Sequence, residues 1–158
     1  QIAQQALRES EARKSAILES ALDGIVTMDG EGRILELNPA GERLLQWRKE
    51  DVLGKTVVEV MVPQRLRSAH DHGLRSFLER REGNLVGRRL EVPVLRADGS
   101  EFSAELAVSA SPLGGDRVIF TGYFRDLTQT KEAERTARIV ERRRHRGQFR
   151  QCATRTTF

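Results

Sequence analysis

From Ile25 onward the chain alternates between stretches with a two-residue apolar period and stretches with a period of three to four. Ile25-Val26-Thr27-Met28 and Arg33-Ile34-Leu35-Glu36-Leu37 are rich in β-branched and aliphatic residues, and they flank Asp29-Gly30-Glu31-Gly32, which predicts a hairpin. Asn38 then stands as a helix N-cap with Pro39 at the first helical position, where a missing N–H costs nothing. Leu44 and Leu45 are expected to face inward from that helix, with Trp47 closing its end. Residues 49–53 predict a further helical turn stopped by Gly54, and residues 57–62 lead to Pro63.

Over residues 65–81, Leu66, Ala69, His70, Gly73, Leu74, Phe77 and Leu78 recur at helical spacing, with Gly83 as a stop. Three long strands follow. Residues 88–96 alternate with Leu90, Val92 and Val94 on one side; Ala97-Asp98-Gly99-Ser100 turns; Phe102, Ala104, Leu106, Val108 and Ala110 then share one side of the next strand. Residues 112–116 read as the second turn and residues 118–125 as the last strand. Five antiparallel strands, two before the helices and three after, make an α+β fold whose short helices arch over one face of the sheet. A space between arch and sheet is where a small ligand would sit.

Both flanks read as helices. Residues 1–22 hold helix formers with no Pro or Gly, and Leu7, Glu11, Lys14, Leu18, Leu22 and Ile25 fall on one side. Two of these six are charged, which leaves open a dimerisation helix or one lying on its own domain's sheet. At the other end the strand pattern of Phe120-Thr121-Gly122-Tyr123-Phe124-Arg125 stops at Asp126-Leu127-Thr128, and a charged helical pattern begins at once. Asp126 and Thr128 are both residue types that accept hydrogen bonds from the open N–H groups of a helix start, and Glu132 and Glu134 put negative charge near its positive end. Such a junction couples a sheet to a helix. The chain therefore divides into a flanking helix at 1–22, a domain at 23–128, a C-terminal helix at 129–144 and an unassigned tail at 145–158.

A chain of 158 residues suits one core with helical ends. The net charge of +4 is unevenly spread. From residue 131 onward nine Lys and Arg face three Glu, a net +6, which leaves −2 on residues 1–130. The basic stretch at 135–155 reads as an interdomain helix in its first half, and the mildly acidic core offers no footprint for nucleic acid. No apolar stretch approaches the ~20 residues a membrane span needs, and no signal-peptide pattern opens the chain, so a cytoplasmic location is expected. A single cysteine, Cys152, excludes an internal disulfide framework and a multi-thiolate metal site. No nucleophile elbow, phosphate-cradling glycine loop or kinase box is present, and Gly114-Gly115 is only a turn, so no enzyme activity is expected in this segment.

Taken with Asp98-Gly99-Ser100-Glu101-Phe102 and Leu37-Asn38-Pro39-Ala40, the run ending in Asp126-Leu127-Thr128 resembles the PAS sensory-domain family over roughly residues 16–130. The resemblance implies a PAS fold, a signal junction at Asp126 and Thr128, a homodimer, and a downstream output domain of the kind found in two-component sensor histidine kinases. Because residues 1–130 hold no cysteine, it speaks against the light-sensing branch, which bonds its flavin through one. His70-Asp71 is similar to the local pattern around the proximal histidine of haem-containing oxygen-sensor PAS domains, with Leu106 and Val108 matching aliphatic residues on the haem face. Those sensors carry an arginine where this chain has Leu90, so the hydrogen bond that discriminates oxygen would be missing. Three readings stand: a small-ligand or partner sensor, a haem-dependent gas or redox sensor using His70, and a ligand-free interaction module. The expected lining is His70, Leu44, Leu74, Leu90, Val92, Leu106, Val108 and Phe120; His72 is expected in solvent.

Overall fold

The computed structural model describes residues 1–80 and 86–153, with side chains up to residue 146. The helices are α1 (Ile2–Ser20), α2 (Pro39–Leu45), α3 (Lys49–Val52), α4 (Val57–Met61), α5 (Arg67–Arg80) and α6 (Thr128–Ala153), with a 3-10 turn at Gln64–Leu66. The strands are β1 (Gly24–Met28), β2 (Ile34–Leu37), β3 (Arg89–Leu95), β4 (Glu101–Gly114) and β5 (Arg117–Asp126). They form one antiparallel sheet in the order β2-β1-β5-β4-β3. The hairpin that precedes the arching helices thus joins the last strand through β1, with β2 at the sheet edge. By contacts the chain divides into two compact units, Gln1–Asp126 and Leu127–Phe158.

Local chemistry explains the connections. Asp29 turns the first hairpin: its carboxylate accepts from the amides of Glu31 and Arg33 at 2.9 Å each. Thr56 opens α4 with a reciprocal cap, its hydroxyl accepting from the Glu59 amide while the Glu59 carboxylate accepts from the Thr56 amide. That carboxylate is held below its usual range chiefly by the Thr56 amide. Arg65, in the 3-10 turn, clamps Glu101 at the start of β4 through two bonds of 2.6 and 2.7 Å.

The Asn38 side chain makes four hydrogen bonds. It is 1% exposed, and its oxygen accepts from the amides of Ile25 (2.7 Å) and Gly41 (2.9 Å). Its amide group donates to the carbonyls of Leu18 in α1 (3.2 Å) and Asp23 (3.0 Å). Four bonds exhaust what an asparagine side chain can make. One residue therefore caps α2, holds the start of β1 and grips the last turn of α1.

The core lies between one sheet face and the short helices. Ile34, Leu37, Leu45, Val52, Val57, Val60, Met61, Val94, Phe102, Ala104 and Phe124 form it with Val26. Phe124 is fully buried because Gly24 lies opposite it in the register; a Cβ on Gly24 would run into the phenyl ring. Trp47 packs at the rim with Lys55 over its ring.

Several boundaries differ from the sequence reading. β4 continues to Gly114, so Pro112 belongs to a strand, opposite Val118, and not to the turn. The ladder shifts register there, and a bulge accommodates a residue that cannot donate. The reversal is made by Gly114 and Gly115, whose positive φ values of 95° and 60° suit glycine. The long inter-strand helix starts at Arg67 after a 3-10 turn, and its expected stop at Gly83 lies outside the described residues. The C-terminal helix runs to Ala153, beyond the expected end at 144, because Arg, Gln and Ala sustain it and Gly147 alone does not break it. Residues 154–158 lie outside the described residues.

Candidate functional site

Directly opposed residues of an antiparallel pair share a face, so the register locates each expected lining residue. Leu90, Leu106 and Phe124 form one row across β3, β4 and β5. Val108, Gly122 and Val26 form a second across β4, β5 and β1, and Ala110, Phe120 and Met28 a third. Val92 lies opposite Ala104. Leu90, Val92, Leu106, Val108 and Phe120 therefore stand on the face that carries the core, and Leu44 packs against the same core from α2.

These residues do not converge on one spot. Phe120 and Phe124 are four residues apart on β5, about 13 Å along a strand. Around Phe120 the covering element is α5: Phe77 meets Phe120 edge to face with centroids 5.2 Å apart, Leu74 lies beside Gly32, and Leu78 beside Gly30. The row at Leu90, Leu106 and Phe124 lies toward the other end of the sheet, where Leu44 is held. The expected lining is thus spread along the sheet, from Phe120 under α5 toward the corner where Arg96 bonds the Leu44 carbonyl. Phe77, which the sequence reading used only as a helix marker, is the aromatic that fills the space above Phe120.

His70 sits on α5 one turn before Leu74, with 23% of its side chain exposed. Its Nδ1 is buried and has no hydrogen-bond partner among the described residues; the nearest carboxylate oxygen, on Asp71, is 3.9 Å away. Burial pushes its pKa below the ordinary histidine value, and the Asp71 charge opposes this only in part. The imidazole is therefore neutral at pH 7, the form that ligates metals. His72 is exposed, as expected.

The exit from the sheet is built around an arginine that the sequence reading passed over. Arg96 follows β3; its Nε donates to the Leu44 carbonyl at 3.1 Å and its Nη2 to Asp126 at 3.1 Å. Its guanidinium carbon lies 4.2 Å from the centre of the Phe102 ring. Both members of the ion pair are largely buried, with 20% and 24% of their side chains exposed. The next residue, Ala97, donates its amide to the Leu45 carbonyl at 2.9 Å. The last turn of α2, the β3–β4 turn and the final residue of β5 are thereby tied together. Thr128 is the first residue of α6. The one available sequence signal for Arg96 was a long cation next to a predicted turn, which by itself reads as surface.

A five-stranded antiparallel sheet in this order, with short helices packed over one face, defines the α+β class of the domain. The family model described as the PAS fold matches residues 12–127, and the chain belongs to that family. It is similar to the sensor protein FixL of Bradyrhizobium diazoefficiens, at 31% identity over 86% of this chain and 26% of that protein. The sensor histidine kinase TmoS of Ectopseudomonas mendocina is 31% identical over 83% of this chain and 13% of its own length. The chain thus spans about a quarter or less of these relatives. Among solved structures, the PAS domain of an HTR-like protein from Haloarcula marismortui superimposes with a TM-score of 0.59 at 25% identity, covering 78% of this chain and 97% of that one. A PAS domain from Colwellia psychrerythraea gives 0.62 at 23% identity, covering 75% and 97%. This segment is a sensory PAS domain homologous to those of sensor histidine kinases.

Proposed function

We propose that this chain senses a small ligand or a partner within a larger signalling protein of the sensor histidine kinase type, and relays the change from its sheet into α6 through Asp126, Leu127 and Thr128. The observation that carries the reading is the Arg96 cluster. It joins a helix bearing an expected lining residue, Leu44, to the last residue before the outgoing helix. A ligand that shifts α2 against the sheet changes the geometry at Arg96 and hence at Asp126, and it drives the equilibrium only through unequal affinity for the two arrangements. Residues 23–128 would be the sensing domain, the flanking helices at 1–22 and 129–144 would act in a homodimer, and the output would lie in another domain of the same protein. A ligand-free interaction module remains the rival, favoured where side chains such as Phe77 already fill the space over the sheet.

Haem ligation by His70 is a second reading. It is favoured by the neutral, buried imidazole and by similarity to an oxygen sensor protein, DosP of Escherichia coli, at 26% identity over 78% of this chain and 15% of that protein. It is opposed by Leu90, which brings no polar group where a bound gas would be recognised. Mass spectrometry of the extract from denatured protein, with a visible spectrum before and after adding haem, separates the three. A co-purified metabolite supports the ligand reading; a Soret band lost in His70→Ala supports haem. Absence of both signals favours the interaction module.

A further inference from the structure

The points where the chain enters and leaves the sheet are neighbours. β1 and β5 are paired with Gly24 opposite Phe124, so Asp23 and Arg125 lie at the same end of adjacent strands. Arg125 reaches across with two parallel bonds, Nε to Oδ1 of Asp23 at 3.0 Å and Nη2 to Oδ2 at 2.9 Å. A fork of this kind fixes orientation as well as distance. Asp23 is held from the other side too, because its carbonyl accepts from the Asn38 amide group, whose second hydrogen goes to the Leu18 carbonyl in the last turn of α1. Only Ala21, Leu22 and Asp23 separate α1 from β1.

These bonds form an unbroken path from Leu18 through Asn38 to Asp23, and from Asp23 to Arg125, the residue before Asp126. No expected lining residue lies on it. The path is anchored in the core at Asn38, which is 1% exposed, and reaches the surface only at the Asp23–Arg125 pair, with 36% and 61% of those side chains exposed. The helix it grips has no buried residue of its own; Leu7 and Ile17 are 59% and 61% exposed. A helix held chiefly at its last turn can be displaced by whatever contacts the rest of it, and the displacement arrives at Asn38 and Asp23.

We propose that Asn38, Asp23 and Arg125 form an input port, through which movement of α1 reaches the strand end that opens into α6, whether or not the sheet holds a ligand. The port rests on the sensory reading above and adds to it a second, mechanical route of input. Asn38 and Arg125 act in it as positioning residues.

Two amides report on its ends. The Ala21 amide, bonded to the Ile17 carbonyl, closes α1, and the Lys131 amide, bonded to the Leu127 carbonyl, opens α6. Residue-resolved hydrogen exchange on the full chain is measured for Arg125→Gln, for Asp23→Arg combined with Arg125→Asp, and for Arg96→Gln. Arg125→Gln changes an exposed side chain and leaves the core intact, so folding is retained. It is expected to speed exchange about two- to fivefold at both Ala21 and Lys131, and the charge-reversed pair is expected to restore both. Arg96→Gln is expected to affect Lys131 and leave Ala21 unchanged. If Arg125→Gln leaves Ala21 as it was, or if reversal restores neither amide, the port is wrong. A response of Lys131 to Arg96→Gln alone then keeps the Arg96 relay, so the two ideas fail separately.

Discussion

The two sides of this domain are held in different ways. At the corner where the chain enters and leaves the sheet, Asn38, Asp23, Arg96, Arg125 and Asp126 are linked by directional hydrogen bonds and ion pairs. On the side covered by α5, Phe77 on Phe120, Leu74 beside Gly32 and Leu78 beside Gly30 make the packing, and no residue of the helix is fully buried. Directional bonds specify one geometry, whereas apolar contact tolerates sliding and repacking. The corner suits transmission of a defined movement; the α5 side suits adjustment to an occupant. A sensory domain needs both, and the sequence places them on different elements.

The largest expected effect breaks the corner. Asn38→Ala removes an N-cap and leaves the Ile25 and Gly41 amides and the Leu18 and Asp23 carbonyls to find other partners. Losing the cap costs about 1 kcal/mol and stranding buried backbone groups costs more, so a loss on the order of 3 kcal/mol is expected from urea unfolding. Stability for such domains is about 5–15 kcal/mol, so the variant is expected to fold but to melt well below the parent. A loss under about 1 kcal/mol would show that water satisfies these groups and that the corner is not rigid.

This corner was legible only in part. Asn38 before Pro39 was readable as a cap because capping is local chemistry within four residues. Its grip on Leu18, twenty residues back, follows from the placing of β1 and has no sequence signature. Likewise Asp126 was marked by the pattern change at the end of the last strand, but its partner Arg96 is thirty residues away. The five strands and their faces were visible because alternation has a strict period of two, and a slip would have turned Phe102, Ala104 and Phe120 outward. Pro112 was misread as a turn because proline usually ends a ladder, and the bulge that admits it depends on register with β5. The lining set was readable as a face but not as a pocket, since periodicity says which side a residue is on and not how far along the strand its neighbours lie.

A smaller effect is expected on the α5 side. Phe77 is partly buried and meets Phe120 edge to face. Phe77→Ala removes that contact and much of the apolar cover over the end of β5, for a loss of about 2 kcal/mol. Opening this space is also expected to raise uptake of an apolar dye, while exchange at Ala21 and Lys131 stays as in the parent. Equal disturbance of those two amides would mean that the α5 side and the corner act as one unit.

The smallest effect is a pH dependence confined to the α5 side. Burial holds the folded-state pKa of His70 below the unfolded value of about 6.5. Between those two values the unfolded chain binds the proton more readily, so the contribution of His70 to stability is complete above pH 6.5, declines as the pH falls through the folded pKa, and is flat below it. Glu101, lowered chiefly by its hydrogen bonds with Arg65, loses its contribution on acidification too, but in the carboxylate range near pH 4 and below. Comparing urea midpoints at pH 7.5 and 5.5 in the parent and in His70→Gln therefore isolates the imidazole. The parent is expected to lose more stability than the variant over this interval, and exchange at the corner amides is expected to follow neither. Identical pH dependence in the two proteins would mean that in solution the imidazole is hydrated, and α5 would then lie farther from the sheet than its contact at Phe77 implies.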